Sequence, residues 1–225
     1  MTRAVVVLRP QPGCAATVAA ARALGLDTIE APLFTIEPVQ WSAPDPSGFD
    51  GILAGSANAL RCSGDALSSL TSLPIHAVGE HTAQAAHDAG FAVATRGEGG
   101  LQGVLDGIPA PARLLRLAGE ARVALNPPTG VEIVERVVYR AAPLPLSPDA
   151  VAAFHSGAIA LLHSAEAARH FAQECDRLAL HRSRIAIAAL GPRIAAAAGE
   201  GWQSVAIADR PADDRLLALA QRLCH

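Results

Sequence analysis

One pattern occurs twice in this chain, and few folds accommodate such a duplication. Gly51-Ile-Leu-Ala-Gly-Ser56-Ala-Asn-Ala and then His76-Ala-Val-Gly79-Glu-His-Thr82-Ala are matched by Ala158-Ile-Ala-Leu-Leu-His-Ser164-Ala-Glu-Ala and then Ala188-Ala-Leu-Gly191-Pro-Arg-Ile-Ala. The offset is 108 between Ser56 and Ser164 and 112 between Gly79 and Gly191, so order and spacing both persist. Each copy reads as strand, polar turn, helix, strand, glycine turn, helix. Short apolar runs meet Ser or Gly before Ala-rich helical stretches, which leaves unpaired backbone N–H groups at four helix starts. Such ends attract anions. Two sets facing one another across a cleft suit a ligand with many carboxylates.

The remaining segments extend this scheme. Ala4 to Leu8 is a β-branched strand, a turn through Arg9-Pro10 leads to a helix over about Cys14 to Leu24, and Thr28 to Ala31 is the next strand. Arg9 thus emerges at the carboxyl end of a strand, where ligands of open α/β sheets collect. Phe34 to Val39 and Val131 to Arg140 alternate as strands and are bounded by prolines, and they bracket the first repeat copy. We read them as a two-stranded β connector (35–43 and 132–145). It joins an inserted α/β domain (44–131) to a discontinuous one (1–34 and 146–225). Strands alternating with helices predict parallel sheets, so the expected fold is α/β, two flavodoxin-like domains with one inserted in the other. Glu120 to Leu125 starts as a helix that Asn126-Pro127-Pro128 stops after little more than one turn.

Composition removes several chemistries. The 225 residues contain no lysine, so a P-loop, a pyridoxal Schiff base and a lysine-dependent aldolase are excluded. A net charge of −3 without a long basic run argues against nucleic acid, and no apolar run approaches a membrane span. No signal peptide is recognisable, which predicts a cytoplasmic protein. Cys14, Cys62, Cys175 and Cys224 are widely spaced and read as buried or free thiols. Neither GxSxG nor HExxH occurs, and Gly97-Glu-Gly-Gly100 lacks dinucleotide-binding spacing. His81 and His163 lie in turns, and Asp213-Asp214 reads as a helix-start doublet. What remains is a set of turns with cap-type residues Ser56, Thr82 and Ser164, and a single phenol, Tyr139, in the second connector strand.

Together these residues carry a resemblance. Val7-Leu8-Arg9-Pro10, Phe49-Asp50-Gly-Ile-Leu with Ser56-Ala-Asn-Ala, Ala77-Val-Gly79 with Thr82-Ala, Leu115-Arg116-Leu-Ala-Gly119-Glu, Val137-Val-Tyr139, Leu162-His-Ser164 and Leu190-Gly191-Pro192 occur in the order found in uroporphyrinogen-III synthases. The chain resembles that family over almost its whole length. The resemblance implies an enzyme of tetrapyrrole biosynthesis that closes linear hydroxymethylbilane to uroporphyrinogen III with inversion of the terminal pyrrole. It implies no cofactor and no metal, a monomer, a small-molecule substrate and transient contact with hydroxymethylbilane synthase. It makes Tyr139 the acid that assists departure of the substrate hydroxyl, since a phenol is protonated at neutral pH. It makes Arg9, Ser56, Ala57, Asn58, Gly79, Thr82, Arg116, Gly119, Ser164, Gly191 and Arg193 the residues that meet the substrate's acetates and propionates.

The sequence departs from the family at three points. Ile194 stands after Gly191-Pro192 where a hydroxyl residue is usual, so a side-chain contact there falls to Arg193. Asn58 stands where an arginine is frequent, and Asn126-Pro127-Pro128 shortens a helix that is normally longer. Two other readings share the same turns: a cytoplasmic two-domain binder of small anionic ligands, and a degenerate synthase without activity. Freshly made hydroxymethylbilane separates them, because only an active synthase yields the type III isomer, whereas spontaneous closure yields type I.

Overall fold

The computed structural model describes residues 3–224. In chain order the elements begin β1 (Val5–Val7), α1 (Gly13–Ala23), β2 (Thr28–Glu30), β3 (Phe34–Pro38), β4 (Gly51–Ala54), α2 (Ala57–Arg61) and β5 (Ile75–Val78). They continue with α3 (Glu80–Asp88), β6 (Val93–Gly97), α4 (Leu101–Asp106), β7 (Ala112–Gly119), β8 (Val131–Pro143) and α5 (Pro148–His155). The chain ends with β9 (Ile159–Leu162), α6 (Ala165–Arg177), β10 (Ala186–Ala189), α7 (Pro192–Ala198), β11 (Ser204–Ile207) and α8 (Asp213–Leu223). Contacts divide it into two units, Met1–Thr35 with Ala142–His225, and Ile36–Ala141.

The first unit is built on a five-stranded sheet in the order β2-β1-β9-β10-β11. Every pairing is parallel, with Val5, Ile159, Ala186 and Ser204 aligned in one row. This is the flavodoxin strand order. The second unit has a six-stranded sheet, β6-β5-β4-β7-β8-β3, whose strands from β6 to β8 are parallel. With Ser164 equated to Ser56, strands β9, β10 and β11 correspond to β4, β5 and β6, while β1 and β2 correspond to β7 and β8. The two units share one spatial arrangement, but the pair that comes first in one comes last in the other. That permutation is why the repeat is visible only from Gly51 and Ala158 onward.

All residues of β4, β9 and β10 are buried. Strands covered by helices on both faces read as continuous apolar runs rather than alternating ones, which is what Ile-Ala-Leu-Leu and Ala-Ile-Ala-Ala are. The edge strand β11 instead leaves Val205 and Ile207 each 44% exposed. Helix α6 places Ala167, Ala168, Phe171, Ala172 and Cys175 on one buried stripe. Its Ser164 Oγ accepts from the Ala167 N–H at 3.1 Å, a cap worth about 1 kcal/mol. Phe171 stacks on Trp202 with ring centroids 5.3 Å apart. The four cysteines are unpaired.

Two expectations change in detail, and one helix is new. The strands expected as a separate connector belong to the second unit's sheet, because β8 pairs along its length with β7, from Ala112 opposite Val131 to Gly119 opposite Tyr139. β3 runs antiparallel to β8: Val39 N–H donates to Val138 O and Leu144 N–H to Leu33 O, and the Arg140 guanidinium binds Glu37. Residues 120–125 carry no helical turn at all. Prolines 127 and 128 lack N–H donors, Arg116 takes the Val123 carbonyl, and Gln102 binds both the N–H and the C=O of Asn126. Finally, α5 is a helix in a segment, Pro148–His155, to which the sequence reading assigns no element. Ser147 accepts from the Ala150 N–H and Pro148 occupies the first helical position, so the proline starts a helix instead of ending a loop.

Candidate functional site

In an open parallel sheet, ligands sit outside the carboxyl ends of the strands at the point where the winding direction reverses. In the second unit that point falls between β4 and β7, and a cavity of about 490 Å³ opens there. Its walls come from the turn after β4 (Gly55, Ser56), the end of β7 (Arg116 to Gly119), Gly99 to Gln102 and the strap Ala121 to Leu125, and Tyr139 of β8 also lines it. The volume is within the range of about 300–1,000 Å³ usual for small-molecule sites.

Arg116 is 5% exposed, an unusual position for a charge. Its Nη1 donates to Glu135 Oε1 at 2.6 Å and its Nη2 to Val123 O at 2.8 Å, while its Nε has no partner among the described residues. Arg122 Nε donates to the other Glu135 oxygen at 2.9 Å. The register explains the cluster, since Arg116 and Glu135 are direct neighbours on β7 and β8. Burial tends to raise the Glu135 pKa, but the two guanidinium groups outweigh it and hold the carboxyl below its ordinary value. Two arginines against one carboxylate leave one positive charge at the wall, which favours an anionic ligand.

Tyr139 is half-buried against the core of this unit. Its ring lies on Gly119: a Cβ there would stand 2.6 Å from Tyr139 Cζ and 2.9 Å from its hydroxyl oxygen. Glycine at 119 is therefore a condition for the observed place of the phenol. The two residues are paired across β7 and β8 where the register shifts, and Glu120 N–H donates to Tyr139 O at 2.9 Å.

The corresponding point of the first unit lies between β1 and β9 and holds a polar cluster. Asp213, at the start of α8, accepts from Thr17 Oγ1 at 2.7 Å and from His163 Nε2 at 2.8 Å, and it lies 3.5 Å from Arg9 Nη1. Burial pushes the Asp213 pKa up, but the His163 and Thr17 hydrogen bonds with the His163 and Arg9 charges bring it below its ordinary value. His163 Nδ1 is buried and has no partner among the described residues. A second cavity in this unit, about 310 Å³, is bounded by Leu190 to Ile194 and Ala208 to Pro211.

Of the residues expected at the site, Ser56, Arg116, Gly119 and Tyr139 share the cavity of the second unit. Ala57 and Asn58 form the first turn of α2, where the Asn58 N–H donates to Ser56 Oγ at 3.2 Å, and they lie outside the cavity lining. Gly79 caps α3 with φ +75°, and Thr82 is the third residue of that helix, only 4% exposed. Thr82 is therefore not a cap: the preceding glycine already turns the chain, and the threonine side chain is buried. In the first unit Arg9 belongs to the Asp213 cluster, Ser164 caps α6, and Gly191 and Arg193 border the second cavity. Arg193 makes no hydrogen bond or ion pair among the described residues. Sequence reasoning missed Gly99, Gly100 and Gln102. The paired glycines were the available signal, for both have positive φ and together turn the chain into α4.

Fold and site define a class: a doubly wound α/β protein with two arginines sharing one carboxylate and a phenol at its strand-end cavity. A family model described as Uroporphyrinogen-III synthase HemD matches residues 15–218, and the chain belongs to that family. The family's activity is that of a cyclising lyase of tetrapyrrole biosynthesis. Two solved structures share the fold. Uroporphyrinogen-III synthetase from Helicobacter pylori is 19% identical, with a TM-score of 0.66 over 98% of this chain and 99% of that one. A mutant uroporphyrinogen III synthase from Thermus thermophilus is 19% identical, with a TM-score of 0.52 over 98% of each chain. No curated protein matches the chain in sequence. Among the described residues no helix is long and apolar enough to cross a membrane.

Proposed function

We propose that this uroporphyrinogen-III synthase closes hydroxymethylbilane at the strand-end cavity of its second unit, with Tyr139 as the proton donor. The phenol protonates the departing hydroxyl, which leaves as water, and the electrophilic azafulvene cation that remains is attacked by the substituted α-carbon of the terminal pyrrole to give a spiro-pyrrolenine. The original methylene bond to that carbon then breaks, and the azafulvene cation left on the neighbouring ring is attacked by the free α-carbon of the terminal pyrrole. The proton lost there as the ring regains aromaticity restores the phenol, so the sequence balances. Arg116 and Arg122 bind acetate and propionate groups, and the N–H groups behind Ser56 add donors. In the first unit Arg9, Ser164, Gly191 and Arg193 offer further carboxylate receptors.

Control of the isomer then rests on shape. Holding reacting groups in place is worth up to about 7–11 kcal/mol without a covalent intermediate. The supporting observation is the phenol seated on Gly119 beside the net positive Arg116–Glu135–Arg122 cluster. The protein acts as a cytoplasmic monomer and takes its unstable substrate directly from hydroxymethylbilane synthase. Incubation of the purified chain with freshly generated hydroxymethylbilane, followed by oxidation and separation of the isomers, tests the proposal: predominant type III supports it, and type I alone refutes it.

A further inference from the structure

The amino ends of the strands in the first unit carry a cavity that the cyclisation does not use. Val5, Ile159, Ala186 and Ser204 begin four neighbouring parallel strands in one row. Just before that row come Arg3, Gly157, Arg184 and Gln203, and with His155, Ser156 and Ser183 they line a cavity of about 390 Å³. From Arg3 to Arg9 the chain runs six residues through β1, about 20 Å at 3.3 Å per residue, so this cavity lies at the opposite end of the strands from the Asp213 cluster.

The lining is cationic and, among the described residues, lacks any carboxylate. Arg3 is fixed in place: its Nε donates to Gly157 O at 2.5 Å, and its Nη2 donates to Gln203 Oε1 at 2.6 Å and to Arg184 O at 3.4 Å. Its Nη1 has no partner among the described residues. Nor do the Arg184 guanidinium, the Ser183 hydroxyl and the His155 ring. Burial lowers the Arg3 pKa from its ordinary value, a cost that a bound anion offsets.

These donors come from four separate segments that line one cavity. A planar carboxylate is satisfied by one guanidinium fork, whereas a tetrahedral oxyanion presents acceptors in several directions at once. We propose that this cavity binds the phosphate group of a small phosphorylated molecule, with Arg3 and Arg184 neutralising its charge and Ser183 and His155 donating to its remaining oxygens. The volume exceeds what inorganic phosphate fills and leaves room for an organic portion.

Inorganic phosphate and diphosphate serve as probes, titrated at constant ionic strength by calorimetry and thermal denaturation, with acetate as the carboxylate control. Saturable binding in the millimolar range or tighter is expected, with diphosphate ahead of phosphate and both ahead of acetate. Arg184→Ala, whose guanidinium makes no hydrogen bond or ion pair among the described residues, weakens phosphate about ten- to a hundred-fold and leaves the phosphate-free melting temperature and the cyclisation rate unchanged. Arg184→Glu abolishes binding. Equal affinity of Arg184→Ala and the parent chain, acetate binding as well as phosphate, absence of saturation, or phosphate competing with hydroxymethylbilane would each overturn the assignment.

Discussion

Substituting Gly119 by alanine tests the reaction through a residue that has no chemistry of its own. The added methyl carbon would stand 2.6 Å from Tyr139 Cζ, 2.8 Å from Cε2 and 2.9 Å from the hydroxyl oxygen. Carbon atoms in ordinary contact are about 3.5–4.0 Å apart, so the ring must retreat by about 1 Å. Gly119 is not among the glycines with positive φ, and the backbone accepts alanine. The open cavity beside the ring gives it somewhere to go, which keeps the folding cost near the low end of the roughly 1–3 kcal/mol typical of overpacking. A misplacement of about 1 Å in a catalytic group costs about a hundred-fold in rate, or about 2.7 kcal/mol of barrier. The assay is single-turnover formation of the type III isomer by Gly119→Ala, Tyr139→Phe and the double variant. Gly119→Ala should lose about two decades while melting nearly normally, and should add little once Tyr139 is Phe, because both act through one phenol. Parental turnover by Gly119→Ala, or an equal further loss in the Tyr139→Phe background, would refute the reasoning.

Three further perturbations follow from the same structure. Glu135→Gln removes the carboxylate shared by Arg116 and Arg122, and should lower stability by about 1–3 kcal/mol in urea denaturation, since the buried Arg116 charge then loses its partner. Ser56→Ala and Ser164→Ala should each cost about 1 kcal/mol of stability; if KM for hydroxymethylbilane rises as well, the capped turns also hold substrate, and if it does not, they are caps alone. Glu174, whose side chain is 8% exposed, accepts from two Arg177 donors and from the Leu146 N–H. The Arg177 hydrogen bonds, with the Leu146 N–H, bring its pKa down from 4.5 to about 2 against the opposing effect of burial. A depressed carboxyl pKa stabilises the fold above the unfolded value and loses that contribution as the pH falls through the folded one. Glu174→Gln should therefore destabilise by about 1–3 kcal/mol at pH 7, with the gap from the parent closing between about pH 4.5 and 2.

The sequence made the sheets legible where strands are buried on both faces. The runs Gly51-Ile-Leu-Ala and Ala158-Ile-Ala-Leu-Leu of the duplicated pattern are the fully buried strands Gly51–Ala54 and Ile159–Leu162, because an apolar run that stops at a polar turn reads as a strand in a parallel α/β chain. Helix α5 was obscured by its own cap, since Ser147-Pro148 ends a proline-rich segment and only the burial of Phe154 decides that a helix follows. Thr82 was misread because cap chemistry is local, whereas Gly79 three residues earlier already supplies the turn. The clusters around the cavities depend on distant pairings. Arg116 meets Glu135 only through the β7–β8 register, and His163 meets Asp213 only because α8 starts beside the end of β9. Gln102 holds Asn126 through backbone atoms, which leave no trace in residue type.

The claim beneath all of this is that a positioned phenol, and no stronger reagent, governs ring closure. The product isomers formed from fresh hydroxymethylbilane by the parent chain and by Tyr139→Phe, at equal concentration and equal thermal stability, test it most directly. The account predicts type III from the parent and predominantly type I from the variant; type III from both at the same rate would contradict it.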